Sequence, residues 1–171
     1  RIEIGTTVID MRYENPLYLA EEAAALDILA DGRLALGVSR GSPESALRGY
    51  EAFGYTGSQD PRGADIARAK FDQFLRAIDG DKIAPGNPAV VGPGQMLPIE
   101  PRSPSLRDHV WWGSATRDSA EWAGRLGLNL MSSTALTEDA GMPFHELQAE
   151  QILRVREAYR AAGHKGAPRV S

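Results

Sequence analysis

Apolar and polar positions along the chain switch between the short repeat of strands and the longer repeat of helices. IEIGTTVI (Ile2–Ile9) is short and β-branched, which predicts a buried strand. Asn15-Pro16 then supplies an N-cap followed by proline at the first helical position. Leu19, Ala23, Leu26 and Ala30 mark one apolar helix face, which Gly32 ends. RLALGV (Arg33–Val38) predicts the second strand.

A loop rich in Gly, Ser and Pro follows from Arg40 to about Gly63, and ADIARAKFDQFLRAID (Ala64–Asp79) predicts a helix burying Ile66, Phe71, Phe74, Leu75 and Ile78. Gly80–Asp108 is punctuated by Gly and Pro with little periodicity. Ordinary connections run about 4–6 residues, so two such loops point to function or mobility. HVWWG predicts the third strand, RDSAEWAGRL a helix closed by Gly127, and LNLMS the fourth strand. PFHELQAEQILRVREAYRAAG predicts a last helix, apolar at Ile152, Val155, Tyr159 and Ala162, and a fifth strand begins at Arg169.

Strand–helix alternation implies parallel strands joined by right-handed crossovers. Two α/β architectures satisfy it, a doubly wound sheet and a (β/α)8 barrel. A full barrel takes roughly 250 residues, so five strands in 171 residues fit only part of one. The chain opens on Arg1 directly before a strand and closes on PRVS at the start of another, so a fragment is expected.

Composition narrows the function. A net charge of −4 argues against general affinity for nucleic acid or for an anionic membrane. No apolar run approaches the roughly 20 residues of a membrane span, and a soluble, cytoplasmic protein is expected. Without cysteine there is no disulfide, thiolate nucleophile or Cys-based metal site. His109, His145 and His164 have no i, i+4 partner, so no metal site is expected.

In parallel α/β folds ligands sit at the C-terminal ends of strands. Three such ends carry chemistry: GTTVID with Thr6 and Thr7, SRG with Arg40, and GSATRDS (Gly113–Ser119). In the last, Ser114, Thr116 and Ser119 offer hydroxyls at a helix start and Arg117 adds charge, which suits an anion. The same residues also suit ordinary N-capping. Arg40 reads equally as a turn residue facing water and as a cation aimed at a ligand. Trp111 and Trp112 fill core and rim, and the carboxylates Glu21, Glu22 and Asp27 on the first helix read as solvated or ion-paired. No Ser/His/Asp set is arguable.

Taken in order, IEIGTTVIDMRYENPLYLAEEAAALDILADGRLALGVSRG, EAFGY and HVWWGSATRDSAEWAGRLGLNLM resemble the bacterial luciferase-like monooxygenase family, the first of them its third-strand-to-fourth-strand region. The resemblance covers nearly the whole chain. It implies a (β/α)8 TIM barrel, incomplete here and spanning about strands 3 to 7, with residues 1–171 as the central part of a single domain. It implies a flavin, FMN or alternatively the deazaflavin F420, at the C-terminal strand ends. Carried over residue by residue, a non-proline cis peptide under the flavin ring matches Thr7–Val8, and the flavin-contacting arginine matches Arg40. The arginine starting the next helix, which reaches the phosphate, matches Arg62, and the phosphate turn matches Ser114, Thr116 and Ser119.

The implied activity is a flavin-dependent monooxygenase that uses reduced FMN and O2 to oxygenate a small organic substrate. A separate flavin reductase would supply the reduced flavin, and a homo-oligomer is expected. The alternatives are an F420-dependent oxidoreductase on the same scaffold and a non-catalytic flavin-binding protein. The first two strands and the last two or three, which carry much of the family's substrate pocket, have no counterpart here, so no general acid or base is assigned.

Overall fold

The computed structural model describes residues 2–41, 44–134 and 141–171. Its elements are, in chain order, β1 (Ile4–Gly5), β2 (Ile9–Asp10), α1 (Pro16–Leu29), β3 (Leu34–Ser39), α2 (Ala64–Asp79), β4 (Ala84–Pro85), α3 (Pro88–Val91), β5 (Met96–Leu97), β6 (Val110–Ser114), α4 (Arg117–Arg125), β7 (Asn129–Ser132) and α5 (Phe144–Ala161). The principal sheet runs β1-β3-β6-β7, with β2 also paired to β3. β3 pairs β6 in parallel (Leu36 opposite Val110, Val38 opposite Trp112), β6 pairs β7 in parallel, and Val170 makes a parallel bridge to Leu130. The strands therefore lie in sequential order without reversal at a switch point. That is the arrangement of a (β/α)8 barrel segment rather than a doubly wound sheet.

The chain divides into two compact units, each described by itself. One comprises Arg1–Ile4, Asp10–Leu34 and Glu44–Arg107. Its core is formed by α1 and α2. Asn15 caps α1 by accepting from Leu17 N and Tyr18 N, with Pro16 at the first helical position, as the sequence predicts. α2 coincides with the predicted span and buries Phe71, Phe74, Leu75 and Ile78, while Ile66 is only half-buried. Fully burying each such side chain contributes roughly 1.5–3 kcal/mol. The Gly80–Asp108 stretch, without periodicity in sequence, holds the small antiparallel β4–β5 hairpin and the short α3.

The buried face of α1 differs from expectation. Leu26 is 50% exposed, and Asp27, expected to be solvated or ion-paired, is fully buried. Asp27 Oδ1 accepts from Leu34 N at 3.2 Å, and Oδ2 accepts from Ser103 and Ser105 hydroxyls at 2.6 and 2.7 Å. A helix apolar on nearly all sides does not choose its inner face by hydrophobicity, and here the three bonds of one carboxylate choose it.

The second unit comprises Gly5–Ile9, Ala35–Pro43 and Asp108–Ser171. Ala120 of α4, Leu130 of β7 and Val155 of α5 form its buried cluster, with Val170 packed against it. Trp111 and Trp112 are buried, as expected. Asn129 ties three strands together. Its amide nitrogen donates to Asp108 O and Val110 O, and its Oδ1 accepts from Arg169 N.

Two expectations fail in this unit and at its margin. The stretch Ile2–Ile9 is not one buried strand but two short pieces, with Ile2, Ile4 and Val8 exposed. Between them the Thr6 hydroxyl donates to Gly37 O and accepts from Gly37 N, taking a place that backbone holds in a regular ladder. The last helix buries Leu147, Gln151, Val155 and Ala158, while Ile152 and Tyr159 are half-buried and Ala162 is exposed. The rotation brings Gln151 inward, where its Oε1 accepts from the Ser132 hydroxyl at 3.0 Å.

Candidate functional site

The C-terminal ends of β3 and β6 meet the Thr7–Val8 segment within the second unit. The Thr7–Val8 peptide bond is cis, as the resemblance implies. Gly113, next to last in β6, is the meeting point: a Cβ there would stand 3.2 Å from both Val8 Cγ1 and Ser39 Cβ. A side chain there would crowd both neighbours, which would have to give by a few tenths of an ångström. Ser39 Oγ in turn accepts from Gly41 N at 2.7 Å, which fixes the backbone on either side of Arg40. Arg40 is half-buried directly after β3.

From Gly113 the chain enters α4 through a turn made almost entirely of its own side chains. Ser114 is fully buried and its hydroxyl donates to Thr116 O at 2.8 Å, so it shapes the turn from inside. Thr116 is the N-cap, its Oγ1 accepting from Ser119 N at 3.2 Å. Ser119 Oγ accepts from Trp112 Nε1 at 2.8 Å, and the Trp112 ring meets Trp122 edge-on at 4.7 Å. Capping is therefore present in this turn. It does not oppose anion binding, since a cap satisfies only part of a helix start and the first-turn N–H groups lack i−4 carbonyls.

The electrostatics of this turn are less positive than its sequence implies. Arg117 Nη1 donates to Glu150 Oε2 at 2.7 Å, and Arg154 lies 3.5 Å from Asp118. The charge of Arg117 is thus balanced by a carboxylate from α5. Glu150 and Gln151, adjacent on α5, were not singled out in the sequence. Nothing in the local pattern marks them, because both act on residues far along the chain.

Arg62 belongs to the first unit. It is exposed, two residues before α2, and its amide donates to Asp60 Oδ1 at 2.7 Å. The first unit also holds a charged network that sequence reading missed. Arg12, 5% exposed, donates through Nε and Nη2 to the Asp10 carboxylate and pairs with Glu44 at 3.3 Å. Hydrogen bonding to Asp10 raises the Arg12 pKa further above its usual range. The D-x-R spacing of Asp10 and Arg12 is the one local signal that marks it. Among the described residues no His, Asp or Glu group could hold a metal ion, and no helix is long and apolar enough to cross a membrane.

Several solved structures share this fold. The monooxygenase RslO1 from Streptomyces bottropensis superposes with a TM-score of 0.64 at 24% identity, over 98% of this chain and 47% of that one. The coenzyme F420-dependent tetrahydromethanopterin reductase of Methanopyrus kandleri gives 0.60 at 17% identity, over 96% of this chain and 47% of that one. The oxygenating constituent of 3,6-diketocamphane monooxygenase from Pseudomonas putida, solved with FMN, gives 0.63 at 14% identity, over 97% of this chain and 46% of that one. The chain thus spans about half the length of these proteins. No curated protein matches it in sequence. The family model described as luciferase-like monooxygenase matches residues 1–171, and the chain belongs to that family.

Proposed function

We propose that the chain is the central, cofactor-binding part of a flavin-dependent monooxygenase that acts on a small organic substrate. The observation that carries this reading is the convergence at Gly113 of the cis Thr7–Val8 segment, the Ser39–Arg40 strand end and the turn into α4. Fit to a flavin phosphate rests on the same turn. A helix start supplies N–H donors, Thr116 and Ser119 hydroxyls flank it, and Ser114 holds its shape from behind. Arg40 supplies positive charge toward the cofactor. The Thr7–Val8 backbone and the Val8 side chain would hold the ring system. Bound in reduced form, FMN supplies the electrons for reaction with O2, and the protein's part is to bind, orient and exclude water. A reductase supplies the reduced flavin, and the working protein is a homo-oligomer.

Charge-assisted hydrogen bonds contribute roughly 1.5–3 kcal/mol, against about 1 for a neutral hydroxyl. Arg40→Ala is therefore expected to weaken FMN binding more than Thr116→Ala does. Flavin titration by fluorescence quenching measures both, and an unchanged affinity in Arg40→Ala removes Arg40 from the cofactor site. Oxygen consumption with chemically reduced FMN tests the oxygenase reading. Binding of F420 in preference to FMN would assign the chain to hydride transfer instead. That outcome has support in the likeness to the Methanopyrus kandleri reductase. Flavin binding without turnover would identify a non-catalytic flavoprotein.

A further inference from the structure

Lys70 of α2 stands apart from the other two lysines of the chain. Lys82 and Lys165 are exposed, whereas Lys70 is half-buried within the first unit. Its Nζ donates to Arg12 O at 2.6 Å and lies 2.8 Å from the centroid of the Tyr55 ring. Two carboxylates act on it, Glu14 and Asp10, with no ion pair to it among the described residues. Asp10 is itself engaged by the Arg12 guanidinium at 2.6 Å.

Water around the ammonium and a carboxylate beside it keep an ordinary lysine protonated, and so inert toward electrophiles. Lys70 has lost part of the first and has the second only at a distance. Burial is the larger influence, and it lowers the pKa from 10.5 to about 8 against the pull of Glu14 and Asp10. A neutral amine here keeps its bond to Arg12 O with one of its hydrogens. Its lone pair is repelled by that carbonyl and by the negative face of the Tyr55 ring. The lone pair therefore turns to the side left open by partial exposure, where an electrophile can reach it.

We propose that Lys70 is an acylation site that takes its acyl group from a small activated donor of the thioester class. The neutral Nζ attacks the thioester carbonyl carbon, a C–N bond forms and the C–S bond breaks. The sulfur leaves as a thiolate, and Nζ gives up one proton to water. The product amide keeps an N–H for Arg12 O and no longer places a cation on Tyr55. Small, uncharged donors are favoured, because Tyr55 and Arg12 restrict the approach while Glu14 and Asp10 repel an anion. The reaction requires no bound cofactor.

The test treats the whole chain with N,S-diacetylcysteamine, a small uncharged thioester, and follows acetylation of each lysine by peptide mass spectrometry. Lowering an amine's pKa from 10.5 to about 8 enriches its neutral form roughly two hundredfold near pH 7.5. Lower nucleophilicity and restricted access return much of that gain. Lys70 is therefore expected to react about tenfold faster than Lys82 and Lys165 at that pH. The ratio should fall between about pH 8 and 10, where the exposed amines are still losing their protons and Lys70 has already lost its own. Tyr55→Ala admits water to the amine and is expected to bring the ratio near pH 7.5 to about one.

A Lys70 that reacts no faster than the exposed lysines overturns the proposal. So does a ratio that stays constant with pH, since Lys70 would then carry an ordinary amine. A Tyr55→Ala protein that keeps the tenfold ratio overturns the role given to the ring. The pH series on the wild-type chain decides the acylation site even if Tyr55→Ala does not fold.

Discussion

The chain leaves its parallel strands for the following helices in two contrasting ways. Between β6 and α4 the turn is short and organised by its neighbours: Thr116 bonds to Ser119, Ser114 to Thr116, and Trp112 to Ser119, none more than seven residues apart. Between β3 and α2 the connection is long, and the contact that fixes its end joins Arg12 to Arg62, fifty residues away. The first turn is held by neutral hydroxyls and a helix cap. The second is held by a buried guanidinium between two carboxylates. One arrangement is stable because little chain entropy is lost in closing it, whereas the other must offset the ordering of a long loop with charge-assisted bonds.

The sharpest way to break this contrast is to remove the two anchors in turn. Arg12→Ala leaves Asp10 and Glu44 facing a cavity without their cation, and loss of one partner from such a network costs on the order of 3 kcal/mol. Thr116→Ala removes a single cap bond and is expected to cost about 1 kcal/mol. Urea unfolding of both variants measures the difference. Equal losses would mean that Asp10 and Glu44 are solvated well enough to stand without Arg12, and that the two connections are not held differently.

Glu150→Gln sharpens the comparison from the other side. It removes the carboxylate that Glu150 sets against Arg117, two residues from Ser119, while keeping the side chain's size. Anion affinity at the α4 start should rise by a few tenths of a kcal/mol to about 1 kcal/mol, the usual scale of an exposed pair. Titration with FMN and riboflavin reads it, and a fall in FMN affinity would show that Arg117 serves the site only when held by Glu150.

The same contrast explains what was legible in the sequence. α2 falls on its predicted span and Asn15-Pro16 starts α1 as expected, because caps and periodicity are local signals. The sequential parallel order followed from alternation of elements. The Ser114–Ser119 turn was visible as hydroxyls before a helix, although not that Ser114 would be sealed inside it. What stayed hidden depends on distant partners. Asp27 looked like one of three surface carboxylates until Ser103 and Ser105, more than seventy residues on, arrive to bond it. Arg12 was not singled out, and its bond to Arg62 O exists only once the 60–64 turn is folded against it. Gln151 reads as a polar position on a helix, and its burial follows from a serine at the end of β7. Long-range polar pairing leaves no period in the sequence, so pattern reading assigns those residues to the surface.

The smallest expected effect concerns Lys70, the second point at which α2 is tied to Arg12. Burial lowers its pKa from 10.5 to about 8, against the opposing pull of Glu14 and Asp10, and its ammonium sits over the Tyr55 ring while donating to Arg12 O. For a base with a depressed folded-state pKa, the unfolded chain binds more protons between the two values. Stability should therefore rise with pH from about 8 toward 10.5, and below about 8 the cost of burying the charged form is constant. Tyr13 acts in the opposite sense only above its ordinary 10.0, because its hydrogen bond to Glu44 raises its pKa, so the window between about pH 8 and 10 isolates Lys70. Lys70 is half-exposed, and with solvent screening allowed for the rise should not exceed about 1 kcal/mol. The measurement is the difference in unfolding free energy between wild type and Lys70→Met across that window. The wild-type curve should climb relative to the variant. A constant difference would mean that Lys70 keeps an ordinary amine in the folded protein despite its burial against Tyr55 and Arg12 O.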